Sequence, residues 1–203
     1  MKANGFLVSQ QEKSENGIQY FGIDTNAWPI GEDELAEVYN KSQLHRLYAL
    51  LDETDWEDQA CFLLDLDMII PYIKYCNENN ITNRVLYIET DEECAVLDCD
   101  LQKRWAIQSN FIGYDVGYCT SFECYSSLLS DVIHRPNLFP DLFKRLNLYG
   151  LLSYTDALLY TKARESMKQE HQSTMFEFGR MYRFAIYKVD LTNLLVDTPR
   201  TKI

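Results

Sequence analysis

Phe111-Ile112-Gly113-Tyr114-Asp115-Val116-Gly117-Tyr118 is the stretch from which the fold is read. Ile112, Tyr114, Val116 and Tyr118 alternate with Phe111, Gly113, Asp115 and Gly117, and a period of two over eight residues predicts a β-strand. Thr120-Ser121-Phe122-Glu123 follows as a capping-box sequence, in which hydroxyl and carboxylate each satisfy an orphan backbone N–H at a helix start. Tyr125, Leu128, Leu129, Val132 and Ile133 then recur at one-face helical spacing, and Pro136 ends the element.

Outward from this unit the chain alternates between the two periods. On the C-terminal side, Pro140 opens a short helix to Leu146, Asn147 and Gly150 mark a turn, and Ser153-Tyr154-Thr155-Asp156 caps a helix to about Gln169. Met181 to Leu191 alternates Tyr182, Phe184 and Ile186 against Arg183, Ala185 and Tyr187, a closing strand. On the N-terminal side, Gly5–Val8 and Ile18–Ile23 read as short strands joined by a polar loop ending in Asn16-Gly17. Glu32, Asp33 and Glu34 favour a helix N-terminus, and the five-residue step from Tyr39 to Leu44 predicts two helices or a bend. Cys61-Phe62-Leu63-Leu64 reads equally as strand or buried helix, and Met68–Cys76 as a helix with Pro71 near its first turn. Arg84–Glu89 is apolar on both faces, as a central strand is. The expected fold is α+β: a mixed, largely antiparallel sheet of five or six strands with helices packed mainly on one face. Residues 1–203 form one domain, or two lobes divided near residue 100.

That division is electrostatic. The chain holds 31 Asp and Glu against 19 Lys and Arg, a formal net charge of −12. Residues 1–100 carry 21 acids and 6 bases, and residues 101–203 carry 10 acids and 13 bases. Asp52, Glu53, Asp55, Glu57, Asp58, Asp65 and Asp67 contain no base between them and surround Trp56. A second run comprises Glu89, Asp91, Glu92, Glu93, Asp98 and Asp100. Such runs are either solvated faces or surfaces that steer a cationic partner. The deficit of base counts against nucleic acid and anionic membranes as partners. Phe6-Leu7-Val8 is shorter than the about seven apolar residues of a signal-peptide core. No apolar run approaches the ~20 residues that cross a bilayer. A cytoplasmic protein with reduced thiols is expected.

Chemistry-bearing motifs are few. Cys94 and Cys99, and Cys119 and Cys124, each enclose four residues without Gly, a loose spacing for a zinc knuckle, and read better as structural thiols. His45, His134 and His171 lie in or beside polar helical stretches and read as surface histidines. Leu63-Leu64-Asp65-Leu66-Asp67 resembles the paired carboxylates of haloacid-dehalogenase-like phosphatases, which hold Mg²⁺ and supply a nucleophile. Ile69 stands where those enzymes carry Thr or Val, so this is an alternative reading only. No catalytic residue, metal site or cofactor is expected otherwise.

Residues 111–128, Leu146–Leu152 and Tyr187-Lys188-Val189 together resemble small bacterial proteins encoded beside polymorphic toxins, including immunity proteins of contact-dependent growth inhibition systems. The likeness covers roughly residues 105–190 and consists of core and turn positions. It implies a non-catalytic protein that binds one cognate toxin domain, often a nuclease. A nuclease presents Lys and Arg to phosphates, so an acidic face suits its inhibitor. Asp52, Glu53, Asp55, Trp56, Glu57, Asp58, Asp65 and Asp67 are therefore the expected partner-binding residues, with Trp56 as aromatic anchor. An acidic homo-oligomeric scaffold, assembled through the 14 tyrosines and three tryptophans, is the remaining alternative.

Overall fold

The computed structural model describes residues 2–9, 32–51, 66–81, 84–93, 109–119, 124–171 and 181–189. In chain order these form β1 (Lys2–Ser9), α1 (Glu32–Val38), α2 (Lys41–Leu51), α3 (Leu66–Glu78), β2 (Arg84–Glu93), β3 (Ser109–Cys119), β4 (Cys124–Ser126), α4 (Ser127–His134), α5 (Pro140–Phe143), α6 (Tyr154–His171) and β5 (Met181–Val189). The strands make one sheet in the order β1-β2-β5-β3-β4, and every described pair is antiparallel. The α+β class and the largely antiparallel sheet are as expected, and among the described residues the sheet is antiparallel throughout. β2 and β3 run in the same direction, but β5 inserts between them antiparallel to both. The strand expected at Ile18–Ile23, and the segment Cys61–Leu64 that reads as strand or buried helix, lie outside the described residues.

Two buried clusters hold the helices to the same face of this sheet. In the first, Leu35, Tyr39 and Leu47 of α1–α2 and Met68, Ile69, Tyr72, Ile73 and Cys76 of α3 meet Phe6, Val85 and Tyr87. In the second, Leu128 of α4 and Ala157 and Tyr160 of α6 meet Val116 and Met181. The opposite face is also buried where β2 and β5 run side by side, at Leu86, Ile88, Phe184 and Ile186. Burial on both faces is the reason Arg84–Glu89 shows no alternation.

Local chemistry explains the helix boundaries. α1 and α2 break at Asn40, whose Oδ1 accepts from the N–H groups of Ser42 and Gln43 at 3.0 Å each. Gln43 Oε1 returns the bond by accepting from Asn40 N at 3.1 Å, a reciprocal capping box. Pro71 lies inside α3, beyond its first turn, and cannot donate to the carbonyl four residues back, that of Asp67. Gln43 Nε2 donates to that carbonyl instead, at 2.6 Å, so one side chain caps α2 and repairs α3. α3 ends on Asn80 in the left-handed region (φ 55°), with Ile81 N donating to Cys76 O at 2.8 Å.

The second capping box forms largely as expected: Asp156 N donates to Ser153 Oγ at 3.2 Å, and that hydroxyl donates to Asp156 Oδ2 at 2.7 Å. The first does not. A three-residue strand, β4, intervenes before α4, because Cys124, Tyr125 and Ser126 pair with Cys119, Tyr118 and Gly117. Ser126 is the N-cap, accepting from Leu129 N at 2.9 Å while donating to Asp115 Oδ1 at 2.7 Å.

β3 also departs from its sequence periodicity. Phe111 pairs with Tyr187 and Gly113 with Ile186, leaving Ile112 as the extra residue of a bulge. Gly113 adopts φ +144°, and a Cβ there would stand 2.7 Å from Leu151 Cβ and 3.0 Å from Asn147 Nδ2. Only glycine fits this conformation and this close approach. Asn147 fixes the loop that presses on it, donating to Ile112 O at 2.7 Å and accepting from Tyr149 N and Leu151 N. Tyr114 and Leu152 exchange both backbone hydrogen bonds at 2.9 Å, which covers the edge of β3 beyond β4.

Candidate interaction surface

The bulge decides what the sheet shows to solvent. Phe111 belongs by alternation with Gly113 and Asp115, yet the extra residue turns it to the side of Tyr114. Phe6, Tyr87, Tyr187 and Phe111 then stand side by side across β1, β2, β5 and β3. Their ring centroids are 5.5, 5.7 and 5.5 Å apart, and the series continues from Phe111 to Tyr114 at 5.1 Å and on to Tyr154 of α6 at 5.2 Å. Edge-to-face and tilted pairs at these separations attract beyond their buried area.

Exposure rises along the series. Phe6 and Tyr87 are buried beneath α3, Tyr187 and Tyr114 are half-buried, and Phe111 and Tyr154 are 51% and 46% exposed. The exposed end lies where the helix-bearing face passes from the first cluster to the second. One register step along, Glu89, Ala185 and Tyr114 stand abreast on β2, β5 and β3. The small Ala185 thus separates a half-buried carboxylate from a ring. Burial pushes the Tyr187 hydroxyl above its ordinary pKa, and the Glu89 carboxylate and Tyr114 add to the shift.

Beneath the second cluster lies a buried polar assembly. Asp131 of α4 is fully buried, accepts from Tyr160 Oη at 2.6 Å, and has Arg164 Nε at 3.2 Å and Arg135 Nε at 3.9 Å. Arg164 is itself buried, so α4 and α6 are joined by an ion pair out of water. Burial first, and Asp131 next, hold the Tyr160 hydroxyl protonated far into the alkaline range. This assembly fixes the helix whose first residue, Tyr154, ends the aromatic series.

The residues expected from the sequence to bind a partner fall mostly elsewhere. Asp52, Glu53, Asp55, Trp56, Glu57, Asp58 and Asp65 lie outside the described residues, as do Cys94 and Cys99. Asp67 is exposed in the first turn of α3, not at a strand end as a phosphatase-like carboxylate pair requires. Cys119 and Cys124 are paired positions in the register of β3 and β4. Among the described residues no three His, Cys, Asp or Glu side chains converge as a metal site. His45 and His134 are exposed. The aromatic surface itself was missed. Its signals were Phe111, a large apolar residue among the strand's small and polar positions, and the glycine two residues on that marks a bulge.

Searches against protein-family models, curated proteins and solved structures return no match to this chain. Among the described residues no helix is long and apolar enough to cross a membrane.

Proposed function

We propose that this chain is a non-catalytic immunity protein that acts in the cytoplasm, binding and neutralising one cognate toxin domain with a basic surface, of the nuclease class. Two observations carry this reading: the sequence of residues 1–100 holds 21 acids against 6 bases, and Phe111 and Tyr154 expose aromatic rings on the helix-bearing face. Charge complementarity speeds encounter and excludes wrong partners, and desolvated aromatic residues contribute most of the affinity at protein interfaces. The acids at 52–67 and the run beginning at Glu89 supply the first, and the series ending at Phe111 and Tyr154 the second.

The test is growth protection. The gene upstream is expected to encode a large secreted protein with a variable C-terminal domain, with which the chain is co-expressed; a metabolic operon in that place counts against the reading. Rescue of growth and a stoichiometric complex are expected, and replacing Asp55, Glu57 and Asp58 with Lys weakens binding and flattens its salt dependence. Continued toxicity beside soluble inhibitor overturns the reading. A second reading, homo-oligomerisation through the same surface, is favoured by the exposure of Leu148 (71%) and Ile133 (55%) as well. Sedimentation as a stable dimer, broken by Phe111→Ser, would establish it.

A further inference from the structure

The aromatic series has a feature that a purely apolar interface does not need, a carboxylate set among the rings. Register places Glu89 and Tyr114 on either side of Ala185, two interstrand spacings apart, or about 10 Å. Among the described residues Glu89 has no Lys, Arg or His within ion-pair distance. Alanine contributes only a methyl group to the interval, which Tyr187 flanks on one side along β5 and the buried, already engaged Arg183 on the other. Phe111 meets both Tyr114 and Tyr187 edge-on, so the three rings present differently oriented faces around one spot. The negative faces of such rings attract a cation, and a neighbouring carboxylate supplies its counter-charge.

We propose that the exposed end of the aromatic series is a receptor for one Arg or Lys side chain of the basic partner, held over Phe111, Tyr114 and Tyr187 and paired with Glu89. This rests on the immunity reading and names the contact through which it operates. Arg suits the site better than Lys, because a planar guanidinium can lie on a ring while its N–H groups reach a carboxylate. The net negative charge of the chain favours the same kind of occupant.

The probe is a hexa-arginine peptide titrated into the full chain, with the aromatic rings followed by ¹³C NMR, against hexa-glutamate and a single-stranded oligouridylate. Saturable shifts at Phe111, Tyr114 and Tyr187 with hexa-arginine alone are expected. Phe111→Leu keeps the apolar bulk but removes the π face and weakens binding about threefold, Phe111→Tyr restores it, and Glu89→Gln costs a similar factor. Thermal melting of each variant verifies that it is folded. Shifts confined to other residues, equal binding in Phe111→Leu and Glu89→Gln, or stronger ring shifts with the oligouridylate overturn the proposal. Growth protection separates the two readings. Ring shifts without protection leave the cation receptor and remove the toxin. Protection with wild-type toxin affinity in both variants leaves the immunity reading and removes the receptor.

Discussion

The two helical clusters on the sheet are built on opposite plans. The first, beneath α1–α3, is almost wholly apolar inside, with Phe6, Leu35, Ile69 and Ile73 at its centre, although it belongs to the acidic half of the chain. The second, beneath α4 and α6, belongs to the mildly basic half, yet contains Asp131 and Arg164 in its interior while Ile133, Leu159 and Tyr154 are exposed. Sequence charge is therefore a poor guide to where charge does structural work. Asp131 depends on Tyr160 and Arg164 of a second helix, a pairing that no count of charges reveals.

The largest effect that could break this contrast is at Asp131. Asp131→Ala leaves Arg164 buried without its counter-ion and is expected to cost about 3–5 kcal/mol in urea unfolding. Ile73→Ala in the first cluster removes only apolar volume and costs about 2–5 kcal/mol. A loss below that of Ile73→Ala would show the ion pair to be incidental. Gly113→Ala comes next. A Cβ in a φ +144° backbone, pressed against Leu151, is expected to destabilise by about 1–3 kcal/mol and to shift the ring resonances of Phe111 and Tyr114.

A matched pair of tyrosines sharpens the comparison. Tyr160→Phe removes a hydrogen bond to a buried carboxylate and should cost about 1.5–3 kcal/mol, against less than about 1 kcal/mol for Tyr72→Phe, whose hydroxyl sits beside the Cys76 thiol. Both hydroxyls are pushed well above the ordinary tyrosine value of 10.0, chiefly by burial. The folded state therefore holds protons that the unfolded chain loses above pH 10. Stability is fully present below that pH and falls above it, by about 1.4 kcal/mol per pH unit for each tyrosine. Absorbance at 295 nm should show both rings ionising only on unfolding, and each Phe variant should reduce the alkaline slope by one proton. The smallest effect is at Gln43. Gln43→Glu can still accept from Asn40 but cannot donate to the Asp67 carbonyl, so it should cost less than Gln43→Ala, itself about 1–2 kcal/mol.

Much of this was legible in the sequence where the signal is local. The helix break at 39–44, the Ser153 cap, the turn at Asn147 and Gly150, and the strands at 84, 111 and 181 each follow from residues within a few positions. Asn40-Lys41-Ser42-Gln43 carries the capping pattern as clearly as Ser153–Asp156 and was passed over. The helix expected to follow Thr120–Glu123 starts later, at Ser127, because a capping sequence states only what a helix start would use. Whether β3 first turns back to pair with β4 is decided by the other strand.

By itself, then, the sequence determined the described elements and the charge division at residue 100, because propensity and capping act between neighbours. Only the tertiary structure decided that β5 enters between β2 and β3, that Ile112 is the bulged residue, and that Asp131 meets Arg164. Those choices depend on burial and pairing between segments far apart in the chain. One of them, the bulge, brings Phe111 beside Tyr114 and creates the exposed end of the aromatic series.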